Sequence, residues 1–165
     1  MTSNRDSGAL GAEMARVQRL SSAGRDSEAV GLCTDLIVEF PDRPELYFQR
    51  ALAKHSLGDR SGAIADLTEA IALNASEPAS LFFRGRWQIE EGEYAAGISD
   101  LHQAIIADDA LGSAYYADPA RLSVAVAYFL QGDFARSETA STGLSADAAT
   151  YLAGRRWTIR DLRRR

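Results

Sequence analysis

A 34-residue period constrains this chain more than any other feature of its sequence. Gly58 and Gly92 lie 34 residues apart, as do Arg50 and Arg84, Asp66 and Asp100, Leu67 and Leu101, Ala70 and Ala104, and Ile71 and Ile105. The same frame carried upstream meets Gly24. A repeat of this length is a single supersecondary unit that cannot bury its own apolar face, so copies must stack to make a core. Within each unit the apolar residues recur at intervals of three and four, the spacing of one face of a helix. Gly58-Asp59 and Gly92-Glu93 mark the corner between two such helices. Glycine takes the left-handed conformation that ends the first helix, and the acid favours the N-terminus of the second.

Taken in order, residues 1–8 are polar and read as a flexible N-terminus. Leu10, Met14, Val17 and Leu20 predict a helix from about Ala9 to Ser22. Gly24 breaks it, and Val30, Cys33, Leu36, Ile37 and Phe40 form the inner stripe of a helix over about 28–40. The next pair is predicted near 44–57 and 59–73, and the third near 77–91 and 93–107. A further step of 34 would put a glycine at 126, where Val126 stands. The next corner, Gly132-Asp133, comes 40 residues after Gly92, so about six residues are inserted near 110–117. A fourth pair is predicted at about 119–131 and 134–144. Asp147 can cap a last helix reaching to about Leu162, with Tyr151, Leu152, Trp157 and Ile159 as its apolar residues, which would cover the open face of the last repeat.

This pattern resembles the tetratricopeptide repeat. The likeness covers roughly residues 10–150 and is strongest in the second and third units. There Tyr47, Ala51, Ala63 and Ala70, then Leu81, Gly85 and Ala104, sit at the positions where that family wants one large and several small residues. Gly97 stands where the third unit should have alanine, Ala29 fits in the first unit, and Ala125, Tyr128 and Phe134 fit in the fourth, where Ser137 and Leu144 replace both alanines. The resemblance implies an all-α, right-handed superhelix of about four antiparallel helix pairs, over about 9–42, 43–76, 77–110 and 117–146. A C-terminal capping helix and basic tail over 147–165 would complete it.

Little in the chain points to catalysis. His55 and His102 lie on different helices with no further ligands at metal-binding spacing. Neither a phosphate-cradling glycine loop nor a hydrolase or protease signature occurs. Cys33 occupies the slot of Leu67 and Leu101 and reads as core. The expectation is therefore a non-enzymatic protein with no cofactor and no metal. No apolar stretch reaches the roughly 18 residues of a membrane span, the N-terminus lacks a secretory signal, and a single cysteine excludes an internal disulfide, which together predict a cytoplasmic protein. The net charge of −5 hides an asymmetry: residues 155–165 carry six arginines against one aspartate, while residues 1–154 sum to −10. An Arg-rich end could contact nucleic acid, but six arginines beside an acidic body make no extended footprint, and nucleic acid is disfavoured as a partner.

Function then has to come from shape. In a tetratricopeptide-like stack, first helices line a concave groove. The residues expected there are Met14, Gln18, Phe48, Gln49, Leu52, His55, Phe82, Phe83, Arg86, Ile89, Leu122, Val126 and Phe129. The row is more apolar than a solvated surface requires. It fits an apolar or amphipathic segment of a protein or peptide partner, partial filling by the chain's own C-terminal helix with Trp157 and Ile159 as plugs, or packing of Phe48 and Phe82 between repeats. Self-association through the C-terminal helix, giving a homo-oligomer, is the alternative function. One subclass of the resembled family binds acidic C-terminal tails of chaperones through a clamp of Lys, Asn and Arg. Met14, Gln18, Gln49, Ala79 and Phe83 occupy the corresponding slots, so the clamp is absent. The repeated Arg50/Asp66 and Arg84/Asp100 read either as partly buried ion pairs or as a ligand-binding basic row.

Overall fold

The computed structural model describes residues 5–113 and 115–163, with side chains described from Ala9 onward. The chain divides into two compact units, residues 1–75 and 76–165. The N-terminal unit holds α1 (Arg5–Ser22), α2 (Asp26–Glu39), α3 (Pro44–Ser56) and α4 (Arg60–Leu73). The C-terminal unit holds α5 (Pro78–Glu90), α6 (Tyr94–Ala110), α7 (Ala117–Leu130) and α8 (Phe134–Ala140), then strands β1 (Ala149–Leu152) and β2 (Arg155–Thr158), and a final turn of helix, α9 (Ile159–Leu162). The antiparallel helix pairs expected from the period are all present.

The corners form as their residues dictate. Gly58 and Gly92 adopt φ of 85° and 87°. The amide of Asp59 then reaches back to the Lys54 carbonyl at 2.9 Å, and that of Glu93 to Gln88 at 2.8 Å, closing the helix ends. The Asp59 carboxylate accepts from the Gly62 amide at 3.0 Å and starts α4. Glu77 starts α5 by accepting from the amides of Ala79 and Ser80.

In the N-terminal unit Val17, Leu20, Ala29, Cys33, Leu36, Leu46 and Ala53 form one buried cluster. Burial pushes the Cys33 thiol up to about 11, so it stays protonated and inert within that cluster. The paired charges lie inside each repeat rather than between repeats. Arg50 grips Asp66 with two hydrogen bonds, 2.9 and 2.7 Å, while Lys54 adds a third contact at 2.9 Å. The Asp66 side chain is only 5% exposed. In the C-terminal unit Arg84 grips Asp100 in the same forked way at 2.6 and 2.9 Å. These guanidinium groups are committed to structure.

The glycine that replaces alanine at 97 has a steric cause. A Cβ on Gly97 would meet the Gly85 carbonyl oxygen at 2.5 Å, and one on Gly85 would meet the Gly97 carbonyl oxygen at 2.7 Å. Here α5 and α6 cross backbone against backbone, closer than an Ala–Ala contact allows.

The inserted residues are handled by lengthening α6 and adding a turn. The helix was expected to stop near Ala107 and runs on to Ala110, because Asp108-Asp109-Ala110 contains nothing to break it. Asp108 is 1% exposed, and its carboxylate accepts from the amides of Tyr116 and Ala117, both at 2.9 Å, so the extension supplies the cap of α7. Burial pushes that carboxyl up. The Ala117 amide, the Ser113 hydroxyl, the Tyr116 amide and Arg121 outweigh burial, and the pKa lies below the ordinary aspartate value. With its folded pKa lowered, Asp108 contributes stability at every pH above the ordinary aspartate range and loses it only as pH falls below.

Other boundaries also depart from expectation. The helix begins at Arg5, not near Ala9, since nothing before Gly8 opposes it. The flexible stretch expected over 1–8 is thus helical from Arg5, and residues 1–4 lie outside the described residues. The eighth helix ends at Ala140 rather than Leu144. Ser141 and Thr142 turn their hydroxyls onto the Glu138 carbonyl, and Gly143 takes φ of 82°. The largest departure is the C-terminal capping helix over 147–162, which is not there. A β-hairpin stands in its place. Ala153 and Gly154 both have positive φ, 51° and 73°, the geometry of a two-residue hairpin turn whose twist suits paired strands. The flanking Ala-Thr-Tyr-Leu and Arg-Arg-Trp-Thr contain the strand-forming residues Thr, Tyr and Trp and pair in register Ala149 with Thr158 through Leu152 with Arg155; burial alternates along β1, and in β2 only Trp157 is buried. Thr150 and Leu152 point inward while Tyr151 points out. Only α9 survives of the expected helix, started by a reciprocal Thr158–Asp161 capping box.

Candidate functional site

The groove residues fall into two groups, one in each unit. In the N-terminal unit, α1 presents Met14 and Gln18, and α3 presents Phe48, Gln49, Leu52 and His55. Gln18 is exposed and the other five are half-buried. Apolar and amide side chains at helical spacing therefore form a face of α1 and α3 that solvent can reach. Beside it, Leu10, Gly11 and Met14 of α1 and Arg43, Glu45 and Leu46 at the start of α3 enclose a depression of about 210 Å³. Gly11 leaves it open, since a Cβ there would meet nothing within 4 Å.

In the C-terminal unit the corresponding face is covered. Leu122 and Val126 of α7 are 0% exposed, Ile89 of α5 is 3% and Phe82 is 6%. These four are buried core rather than an open wall. Phe83, Arg86 and Phe129 remain half-buried. Ile89 packs on Gly97 of α6 and the Phe82 ring on Tyr116, while the C-terminal hairpin covers α7 and touches α5. Leu152 of β1 is fully buried, as are most of Trp157 of β2 and Ile159 of α9. The Trp157 ring stands edge-on to Phe129 with centroids 5.8 Å apart. The reading of Trp157 and Ile159 as plugs thus matches their burial, although a hairpin and a single turn carry them rather than a continuous helix.

Polar groups tie the hairpin down along its main chain. Arg86 donates from Nη2 to the Tyr151 carbonyl. The Glu90 carboxylate accepts from the Ala153 amide at 3.2 Å. The Ser123 and Thr150 hydroxyls share a buried hydrogen bond of 2.8 Å. Burial lowers the Arg86 pKa, with Glu90 opposing, and its guanidinium lies over the Phe82 ring at 5.3 Å. Reading the sequence as helix anticipated Leu152 as an apolar covering residue but missed Glu90, Ser123 and Thr150 as parts of this contact. The signal available was Ala153-Gly154 between two short β-prone runs.

His102 of α6 is exposed. Among the described residues no group of three or more His, Cys, Asp or Glu is placed to hold a metal ion. No described helix is long and apolar enough to cross a membrane.

Compared with known protein families and with characterised proteins, the sequence matches none. Its fold matches many solved structures. A crystal structure of MamA superposes with a TM-score of 0.70 at 19% identity, over 78% of this chain and 71% of that one. A type III secretion complex from Aeromonas hydrophila gives 0.72 at 19% identity, over 76% and 84%. PcrH, crystallised with the chaperone-binding region of PopD, gives 0.72 at 15% identity, over 79% and 99%. Together with the 34-residue period and the paired helices, these likenesses establish that the chain has a tetratricopeptide-repeat-like fold.

Proposed function

We propose that the chain is a non-enzymatic protein-interaction module. The face of α1 and α3 receives an apolar or amphipathic segment of a partner protein. One observation carries this reading: the predicted groove residues are half-buried or exposed throughout the N-terminal unit, whereas Phe82, Ile89, Leu122 and Val126 in the C-terminal unit are buried within their own unit. Met14 and Leu52 offer apolar contact, and Gln18, Gln49 and His55 offer hydrogen bonds around it, the composition that suits a helix or extended peptide laid in a groove. PcrH, which shares the fold, was crystallised with a segment of another protein. Self-association is less well supported than it was from sequence, because Leu152, Trp157 and Ile159 are buried within their own unit and leave mainly Tyr151 and arginines on the outside.

The test compares Leu52→Asp with Val38→Asp, the latter at an exposed position on α2. With a photo-crosslinking residue at Gln49, the partner should be captured by the parent chain and by Val38→Asp, and lost from Leu52→Asp. The same crosslinked bands from both variants would overturn the reading.

A further inference from the structure

The sheet formed by β1 and β2 has two strands, so each strand has an outer edge. In a hairpin closed by a two-residue turn, the residues flanking the turn exchange both main-chain hydrogen bonds, and the next pair directs its amides and carbonyls outward. Leu152 and Arg155 flank Ala153-Gly154, so the outward pair is Tyr151 and Arg156. The Tyr151 carbonyl agrees with this phase, since it accepts from Arg86 of α5 rather than from β2. The two edges then differ. That of β1 is occupied: the strand lies on α7 and touches α5, and Arg86 and Glu90 take the Tyr151 carbonyl and the Ala153 amide. Apart from the Trp157 ring against Phe129, β2 meets chiefly β1 and α9. Asp161 takes the Thr158 amide at its far end. The outward amide and carbonyl of Arg156 are left, and nothing among the described residues bonds to either.

A strand edge with unpaired main-chain groups is a template for another strand. Charge selects which kind. Arg155, Arg156, Arg160 and Arg163 are all exposed. Asp161 offsets Arg155 at 3.3 Å, but no carboxylate among the described residues pairs with the other three. Elsewhere the pattern is the reverse, with Arg25, Arg50, Arg84, Arg121 and Arg136 each set against an acid. The β2 edge of a second copy would bring arginine against arginine, which disfavours edge-to-edge pairing of two copies. We propose that the outer edge of β2 takes up an extended, acidic segment of a partner protein as a third strand. The partner residue opposite Arg156 exchanges two main-chain hydrogen bonds with it and sets a carboxylate beside its guanidinium, on the face that Tyr151 and Arg156 share. Acids nearer α9 meet Arg160 and Arg163. This surface lies in the C-terminal unit and does not depend on the α1–α3 face.

The experiment adds the peptide acetyl-Thr-Glu-Val-Glu-Val-Glu-amide to the isotope-labelled full chain at up to millimolar concentration and follows amide resonances and amide exchange. Resonances of residues 154–158 should shift, and exchange of the Arg156 amide should slow. Two N-methylated forms of the peptide separate strand pairing from charge alone. Methyl groups on the valine nitrogens face away from β2 and should leave binding unchanged, whereas methyl groups on the glutamate nitrogens block the pairing edge and should weaken it about tenfold. A peptide with lysine in place of glutamate should not bind, and Arg156→Glu, a change at an exposed position, should weaken the acidic peptide at least tenfold while the α7 resonances stay in place. Equal binding of the two N-methylated peptides, binding of the lysine peptide, or an Arg156 amide that exchanges as fast with the acidic peptide as without it would overturn the proposal.

Discussion

Asp66 shows how the repeat uses charge. Its carboxylate is nearly buried, and Arg50 and Lys54 converge on it from α3. Removing one partner of such a set leaves uncompensated charge, which costs more than the set contributes as a whole. Asp66→Ala should lower the unfolding free energy by about 2–3 kcal/mol, read from urea denaturation. The double replacement Arg50→Met/Asp66→Leu should recover most of that. An unchanged midpoint for Asp66→Ala would remove the ion pairs from the account of the fold. The sequence singled out Arg50 and Asp66, because an Arg and an Asp that repeat together at the same spacing constrain each other, but it left a ligand-binding basic row open beside the ion pair and did not reveal Lys54. Cys33 was legible in the same way, through its leucine counterparts at 67 and 101. Leu122 and Val126 were legible as residues on the first-helix face but not as buried ones, since their cover comes from a segment whose structure the sequence disguised.

Among the elements, the hairpin is where the periodic reading failed. Tyr151, Leu152, Trp157 and Ile159 fall at spacings that a helix of 3.6 residues per turn can almost bring together, and nothing between them is a proline. What decides against the helix is Ala153-Gly154, whose positive φ reverses the chain. Glycine bears that geometry readily, and alanine does not. Ala153→Asn should therefore stabilise the hairpin, since asparagine is the preferred first residue of such a turn, by about 0.5–1 kcal/mol in thermal melts. A lower melting temperature would show that the turn is not what holds β1 to β2. The inserted turn before α7 was only half legible: the offset of six residues located it, but the capping role of Asp108 depends on a contact eight and nine residues away that no short-range pattern displays.

Across the whole molecule, the two units end their sequence logic differently. The N-terminal unit leaves its α1–α3 face half-exposed, and the C-terminal unit closes its α5–α7 face with residues that belong to no repeat. Leu152, Trp157, Ile159 and Leu162 each bury a side chain, at about 1.5–3 kcal/mol apiece. That sum is comparable to the whole stability of an ordinary domain. Truncation after Ala146 should thus expose Leu122 and Val126, bring on binding of a hydrophobic dye, and strip amide-exchange protection from α7 while α2 and α3 keep theirs. Full protection of α7 in the truncated chain would show that the hairpin is ornamental. The cover also has a consequence in time. Arg86 and its acceptor at Tyr151 are 65 residues apart, and a ribosome adds on the order of 10 residues per second. For on the order of several seconds in every round of synthesis, the newly made α5 therefore waits with Arg86 and Glu90 lacking their hairpin partners, and that interval is when a holding chaperone would find this protein.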